Sequence, residues 1–388
     1  MPLFQKTSKI IVTCPKGIAP YLKEELEAIG FQRLTELTAG VETTGTIDDA
    51  MQINLSVRTA HRVLYLLEEF SANSPHEMYK HVSTIPWEDY LDVDGYFSVT
   101  STVENPTIKN TQYANVKCKD AIVDRFYKRF GRRPQSGPKR NRAVVHLFWK
   151  KNGCSMYLDT SGEPLSRHGY RTIPLKAPMQ ETLAAATLMA TRWKGTGNFI
   201  NPMCGSGTLA IEAALIALKR PPGLFRNNFG FMYISSFDKF KWKDLRNTAN
   251  RQSKKTMSGT IVATDINPEA VAAATKNAES AGVDHLIDFH TCDFSETPVP
   301  EGPGIVFINP EYGERLGDME RLKDTYKEIG TFFKQQCLGY RGYIFTGNFD
   351  LAKRVGLKTK RRIPFYNSNI ECRLLEYDLY EGSRKPNK

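Results

Sequence analysis

From residue 177 to the carboxyl end, apolar strands alternate with helices, and this rhythm constrains the fold more than any other feature of the chain. The spacing predicts helix 178–193, strand 197–201, helix 208–218, strand 260–264, helix 268–281, strand 304–308 and helix 319–337. Strands near 342–346 and 371–379 complete the series. Short strands that are apolar along their length are buried on both faces, so the pattern predicts a mostly parallel sheet covered by helices on both sides. Residues 219–258 interrupt the rhythm and read as an insertion.

The amino-terminal half has a different texture. Residues 9–13 (KIIVT) read as a strand, with a turn at Pro15–Gly17. A helix over about 18–29 follows, carrying Leu22, Leu26 and Ile29 and stopping at Gly30. A second helix is predicted over roughly 50–66 from Ile53, Val57, Leu64 and Leu66. Then come a strand near Tyr96–Thr102, a long basic helix over about 112–130, a Gly/Pro/Arg-rich loop at 131–142, and strands at 143–149 and 154–159. Residues 160–176 read as a linker. A chain of 388 residues exceeds one ordinary core, so two or three domains are expected, the first of them α+β.

Charge is unevenly distributed along the chain. Residues 1–100 hold 8 Lys and Arg against 14 Asp and Glu, whereas residues 101–150 hold 12 against 3. A basic concentration of this kind suits a phosphate-binding face, because each cation near a phosphate releases condensed counterions. A solvated basic surface without a partner is the alternative reading from charge alone. The candidate phosphate-binding residues are Lys117, Lys119, Arg132, Arg133, Lys139 and Arg140. The seven cysteines are scattered with no C-x-x-C pair, so no zinc site or disulfide framework is signalled and no metal is expected. The start, MPLFQKTSKI, does not read as a leader, and no apolar run approaches the ~18 residues of a membrane span. No membrane partner is expected, and a reducing cytoplasm is the expected compartment.

Four short segments carry candidate chemistry. Asn201-Pro-Met-Cys-Gly-Ser-Gly-Thr208 lies between a strand and a helix, where Gly205 and Gly207 let the backbone turn tightly beside a ligand. It lacks the full G-x-G-x-x-G fingerprint, and alone it could be a structural turn. Asp265 ends the next strand, where a carboxylate can accept from ribose hydroxyls or merely shape the turn before Asn267. Asp293 follows the third strand and could meet an adenine amino group, or be an ordinary loop aspartate. The strand Ile305–Ile308 then ends in Asn309-Pro310-Glu311-Tyr312. There the Asn309 side-chain oxygen and the Pro310 carbonyl can both accept from an exocyclic amine while Tyr312 stacks on an extruded base. Asn-Pro by itself is a common turn, but its order after the other three segments favours the chemical reading.

With these segments in place, the chain resembles the THUMP-domain RNA methyltransferases. It is most similar to the bacterial 23S rRNA guanine-N2 methyltransferase group of the RlmL N-terminal-half type. The amino-terminal landmarks are Val12–Gly17, Glu24-Glu25-Leu26 and Asn54–Arg62. Further matches are Asn110–Tyr113, Lys119–Ile122 and Arg133-Pro134. The junction Leu165–Arg171 with Ala177-Pro178 and Glu181–Ala184, then Asn201–Thr208, Asn309–Leu316 and Tyr366–Leu374, extend the likeness over nearly the whole chain. Two positions depart from the family pattern: Asn201 stands where Asp is usual, and Glu311 where a second Pro is usual.

The resemblance implies an α/β fold: a Rossmann-like class I methyltransferase domain (177–388) preceded by ferredoxin-like (1–66) and THUMP (67–159) α+β domains, with 160–176 as linker. It implies S-adenosyl-L-methionine as cofactor, with Asp265 toward its ribose, Asp293 toward its adenine, and Asn201, Gly205 and Gly207 on the methionine side. The implied activity is methyl transfer to N2 of a guanine, in 23S rRNA by preference. A tRNA guanine-N2 methyltransferase and a catalytically silent RNA-binding or assembly protein stand as alternatives. A dinucleotide-dependent oxidoreductase is disfavoured by the incomplete glycine fingerprint.

Overall fold

A computed structural model describes residues 6–105, 108, 110–173, 175, 178–235, 237–312 and 319–380. Of the segments used above, Ala177 and Gly313–Leu316 lie outside the described residues. The chain divides into two units, one of Met1–Cys14, Leu22–Ser166 and Arg226–Ala249, the other of Pro15–Tyr21, Arg167–Phe225 and Asn250–Lys388.

In chain order the first half contains β1 (Ser8–Thr13), α1 (Ala19–Ala28), β2 (Thr35–Leu37), β3 (Gly40–Gly45), α2 (Ile47–Ser56) and β4 (Arg62–Ser71). It continues with α3 (Pro75–Thr84), β5 (Tyr96–Glu104), α4 (Thr111–Phe130), β6 (Gln135–Ser136), β7 (Ala143–Lys150) and β8 (Gly153–Asp159). The strands form one sheet in the order β2-β3-β1-β4-β8-β7-β5-β6. β4 joins its two halves, pairing with β1 through Arg62–Tyr65 and with β8 from Leu64 to Ser71. One strand thus crosses position 66, where the sequence suggested a domain boundary.

The helix predicted over 50–66 is corrected by the structure to two elements. Thr46 and Asp49 form a reciprocal capping box that starts α2 early, and Val57 is already extended (φ −81°, ψ 138°). The next two amides, of Arg58 and Thr59, donate to the buried Glu25 carboxylate at 2.8 and 3.0 Å, which draws the backbone away from helical pairing. Beyond them Val63, Leu64, Tyr65 and Leu67 are buried in a central strand. Leu64 and Leu66, two residues apart, therefore belong to a strand period rather than a helical one. The start of the expected linker is also firmly packed. Asn54 Nδ2 donates to Thr160 Oγ1 at 2.8 Å, Ser161 Oγ donates to Asn54 Oδ1 at 2.7 Å, and Arg62 pairs with the buried Asp159.

The second half contains α5 (Glu181–Ala190), β9 (Asn198–Pro202), α6 (Thr208–Ala217), α7 (Lys239–Gln252), β10 (Ile261–Asp265), α8 (Pro268–Ala281) and β11 (Ile287–Thr291). It ends with β12 (Gly304–Ile308), α9 (Met319–Gln335), β13 (Arg341–Thr346), α10 (Phe349–Arg354), β14 (Arg361–Asn367) and β15 (Ile370–Asp378). The sheet runs β11-β10-β9-β12-β13-β15-β14. Its first five strands are parallel, and β15 is antiparallel to both β13 and β14. Phe199, Ile200, Ile261, Ala263 and Val306–Ile308 are buried, as strands covered on both faces require. The chain leaves β9 toward β10 and later returns to its other side at β12, so the direction of strand order reverses there. In open α/β sheets, ligands bind beyond the carboxyl ends of strands at such a reversal.

Candidate active site

β9 and β12 are adjacent parallel strands, so their carboxyl ends lie on the same edge. Asn201, near the end of β9, is fully buried, and its Nδ2 donates to the Phe307 carbonyl of β12 at 2.9 Å. That bond ties the two strands together but leaves Asn201 Oδ1 buried without a hydrogen-bond partner. Asn309, just past β12, has the same defect: its Oδ1 is buried with no partner. A buried acceptor left unsatisfied costs about 1–3 kcal/mol, so two of them at one strand edge mark a place for ligand donors.

The two glycines of the turn serve different ends. Gly205 adopts φ +55°, and a Cβ there would meet nothing within 4 Å, so open space adjoins its backbone. Gly207 adopts φ +82°, and a Cβ there would stand 2.9 Å from Ala274 Cβ on α8, so this glycine allows α6 and α8 to approach. Asp265 fixes the turn directly. Its Oδ2 accepts from Gly205 N at 2.9 Å and its Oδ1 from Asn267 N at 3.0 Å. The next side chain, Ile266, is 71% exposed, an apolar surface beside that carboxylate. Asp293 caps a short 3-10 turn, its Oδ1 accepting from Ser295 N at 2.9 Å and Ser295 Oγ at 2.6 Å.

Beyond Asn309, Pro310 is buried and Glu311 is exposed, with a solvent-facing ion pair to Arg321 at 3.2 Å. Tyr312 is held at both ends. Its hydroxyl accepts from Asn367 Nδ2 at 2.9 Å, and its carbonyl accepts from Asn348 Nδ2 at 3.3 Å. Gly347 permits the ring's approach, since a Cβ there would come within 3.3 Å of the Tyr312 ring.

A supporting layer was given no site role by the sequence. Arg171 donates to the Met179 carbonyl at 2.7 Å and to Thr208 Oγ1 at 2.8 Å, linking the approach to α5 with the first turn of α6. Asn277 on α8 accepts from Thr172 N and Ile173 N at 2.9 and 3.0 Å and donates to the Ser206 carbonyl at 3.2 Å. His168 Nδ1 and Glu212 Oε1 lie 2.6 Å apart, fully buried. Arg171 and His168 stand in the basic junction segment, but their side-chain partners Thr208 and Glu212 are 37 and 44 positions away, so only the type of residue was visible.

In the other unit, Lys117 and Lys119 lie on α4, Lys119 paired with Asp120 at 2.8 Å. Arg132, Arg133, Lys139 and Arg140 are exposed on the following loop, and Arg132 pairs with Asp94 at 2.7 Å. Arg125 and Arg129 of the same helix are instead committed to Glu88. Among the described residues no cluster of His, Cys, Asp and Glu could hold a metal ion, and no helix is long and apolar enough to cross a membrane.

Comparison with known proteins matches this architecture. Residues 168–376 match the family described as "RMKL-like, methyltransferase domain", residues 9–64 the RlmL ferredoxin-like domain, and residues 72–159 the THUMP domain. The "Ribosomal RNA large subunit methyltransferase K/L" of Syntrophotalea carbinolica is 36% identical over 383 residues, which is 96% of this chain and 54% of that protein. The chain thus spans about half the length of such relatives. A Synechocystis sp. protein named as an RNA methyltransferase is 32% identical over 374 residues, covering 96% of this chain and 97% of its own length. Among solved structures, SMU.472, described as a methyltransferase and crystallised with SAH, superposes with a TM-score of 0.88 at 27% identity, covering 98% of this chain and 100% of that one. The chain belongs to the RMKL-like methyltransferase family, with a ferredoxin-like and a THUMP domain ahead of its methyltransferase domain.

Proposed function

We propose that this chain transfers a methyl group from S-adenosylmethionine to the exocyclic N2 of a guanine in RNA, with 23S rRNA the favoured substrate. The carrying observation is the pair of partnerless carbonyl oxygens, Asn201 Oδ1 and Asn309 Oδ1, near the carboxyl ends of adjacent strands where strand order reverses. An RNA substrate is supported by the THUMP domain, and a ribosomal one by the relatives' names. The bound cofactor supplies an electrophilic methyl group on a sulfonium.

The chain's own residues bind and orient. Asn201 Oδ1 accepts from the ammonium of the methionine portion, and the open backbone at Gly205 lies against that portion. Gly207 shapes this side by letting α6 close on α8. Asp265, while holding Gly205 N, would accept from the ribose, and Asp293 would accept from the adenine amino group. Asn309 Oδ1 and the Pro310 carbonyl accept from the target amine, aligning its lone pair, and Tyr312 stacks on the base. The RNA is gripped by Lys117, Lys119, Arg132, Arg133, Lys139 and Arg140. The division of labour proposed is ferredoxin-like 1–66, THUMP 67–159, linker 160–176 and methyltransferase 177–388, acting in the cytoplasm, where seven free cysteines are at home.

The test combines titration calorimetry with S-adenosylmethionine and transfer of labelled methyl groups to RNA from a deletion strain, with nucleoside mass spectrometry of the product. Cofactor binding and N2-methylguanosine in 23S rRNA are expected. Label confined to tRNA would move the substrate assignment, and RNA binding without cofactor binding would replace the enzyme reading with the silent-binder one.

A further inference from the structure

Arg226–Ala249 interrupts the methyltransferase fold between α6 and β10, yet these residues cluster with the unit that holds β1–β8. Phe229 and Phe231 stack at 5.1 Å, and Trp242 sets its edge against them at 5.3 and 4.9 Å. Phe231 N donates to the Thr160 carbonyl and Ser235 N to the Tyr90 carbonyl, both at 3.0 Å. The segment is also joined to the end of the basic loop. Asn228 Nδ2 donates to the Asn141 carbonyl at 3.1 Å, and the Arg142 guanidinium lies 4.6 Å from the Tyr233 ring centroid.

That anchoring leaves one face of α7 without a packing role. At 100° per residue Trp242, Leu245, Arg246 and Ala249 share the inner side, and Trp242 and Ala249 are buried. Lys239, Phe240, Lys243 and Asn247 share the outer side with Asp244, and all five are exposed. Phe240 is 73% exposed, with Lys239 Nζ 5.3 Å from its ring centroid. The helix carries five cations and one carboxylate, Asp244. Cations flanking an exposed ring are the chemistry of a nucleic-acid contact, in which ammonium groups meet phosphates and the ring stacks on a base. A bilayer surface fits poorly, because Phe240 is the only large apolar residue on that face and one ring gives little area to insert.

We propose that the outer face of α7, formed by Lys239, Phe240, Lys243 and Asn247, is a second RNA-contact surface carried on the same folded unit as the basic loop 131–142. The lysines meet phosphates, and Phe240 stacks on an unpaired base. The inference rests on the RNA substrate proposed above.

The experiment measures fluorescence anisotropy of the full chain with a labelled stem-loop bearing a single-stranded flank, across a KCl series. K239Q/K243Q is expected to reduce the slope of log affinity against log salt by about 1.4–1.8, and K239R/K243R to retain it. Phe240→Ala is expected to weaken the flanked probe by about 5- to 150-fold and to leave a fully paired duplex nearly unaffected. Wild-type behaviour of K239Q/K243Q and of Phe240→Ala, with the slope still lowered by R132Q/R133Q, would overturn the α7 surface and leave the RNA reading standing. No RNA binding by the wild type would overturn both. Loss of binding to phosphatidylglycerol vesicles in Phe240→Ala, with RNA affinity intact, would reassign the face to a membrane.

Discussion

Asn201 illustrates how one atom can be committed while its neighbour is not. Its amide nitrogen is used by the Phe307 carbonyl, which fixes the side chain and leaves Oδ1 as the free acceptor. An aspartate there would set a carboxylate oxygen against that carbonyl, so the amide at 201 is coupled to the β9–β12 contact. Asp265 holds the Gly205 and Asn267 amides and, in the function proposed above, also accepts from the ribose, so Asp265→Ala removes all three contacts. Loss of a charge-assisted hydrogen bond is expected to weaken S-adenosylmethionine binding by about 1.5–3 kcal/mol. Unchanged affinity in calorimetry would reduce Asp265 to a turn residue. Asn309 is the sharper test of chemistry. In the function proposed above, Asn309→Ala removes an acceptor needed mainly at the transition state, so single-turnover methyl transfer is expected to fall by roughly 10²-fold or more with RNA affinity nearly constant. Equal rates would exclude this loop from the reaction. The four segments were visible in the sequence because they sit at strand ends in a fixed order. The partnerless oxygens were not, since they depend on which carbonyl lies across the strand pair.

Elements were legible wherever local chemistry marks their ends. α8 begins at Pro268 behind an Asn267 cap and ends at Gly282 in the left-handed region (φ 62°), so its limits follow from sequence. β12 is an uninterrupted apolar run and is equally plain. The break between α2 and β4 was hidden because residues 58–61 hold no Gly or Pro, and the helix is ended by Glu25, a residue thirty-three positions before Arg58. β14 is an edge strand containing Pro364, and its pattern RRIPFYN shows no clean alternation. β7 carries a pH-sensitive group. Its His146 contacts Thr100 Oγ1 through Nδ1 at 2.8 Å, and burial, aided by the charges of Arg62 and Arg140, pushes its pKa down to about 4. The unfolded chain titrates this histidine near its ordinary value of about 6.5, so between about pH 6.5 and 4 only the unfolded state gains the proton. Stability is therefore expected to fall with falling pH across that window, by at most about 1.4 kcal/mol per pH unit, and His146→Gln should remove this component. Urea midpoints for both proteins at several pH values provide the check, and a wild-type-to-variant difference that stays constant with pH would refute it.

Across the molecule, sequence order and spatial grouping disagree at Pro15–Tyr21, which groups with the second unit, and again inside the insertion. The strand–helix rhythm of the second half breaks over 219–258, but the fold groups only Arg226–Ala249 with the first unit and keeps 219–225 and 250–258 with the second. The contacts responsible, such as Phe231 N to the Thr160 carbonyl, link residues too distant in sequence for any local pattern to reveal. The basic segment 101–150 was legible as charge, yet its cations are not equivalent. Arg125 and Arg129 serve Glu88, while Lys119 and Arg132 hold exposed partners that cost only about 0–1 kcal/mol to displace. Neutralising Lys117, Lys119, Arg132 and Arg133 together is expected to flatten the salt dependence of RNA affinity by roughly 0.7–0.9 per lost phosphate contact. These residues lie on the unit that does not contain β9 or β12, so their loss should weaken substrate and transition state equally. The expected kinetic signature is a raised KM for RNA with kcat unchanged, opposite to that of Asn309→Ala. Salt-series binding and steady-state methyl transfer on the same preparation measure both quantities. An unaltered slope would mean that this surface faces solvent, and a kcat that fell with KM constant would mean that the basic segment acts on the reaction rather than on the grip.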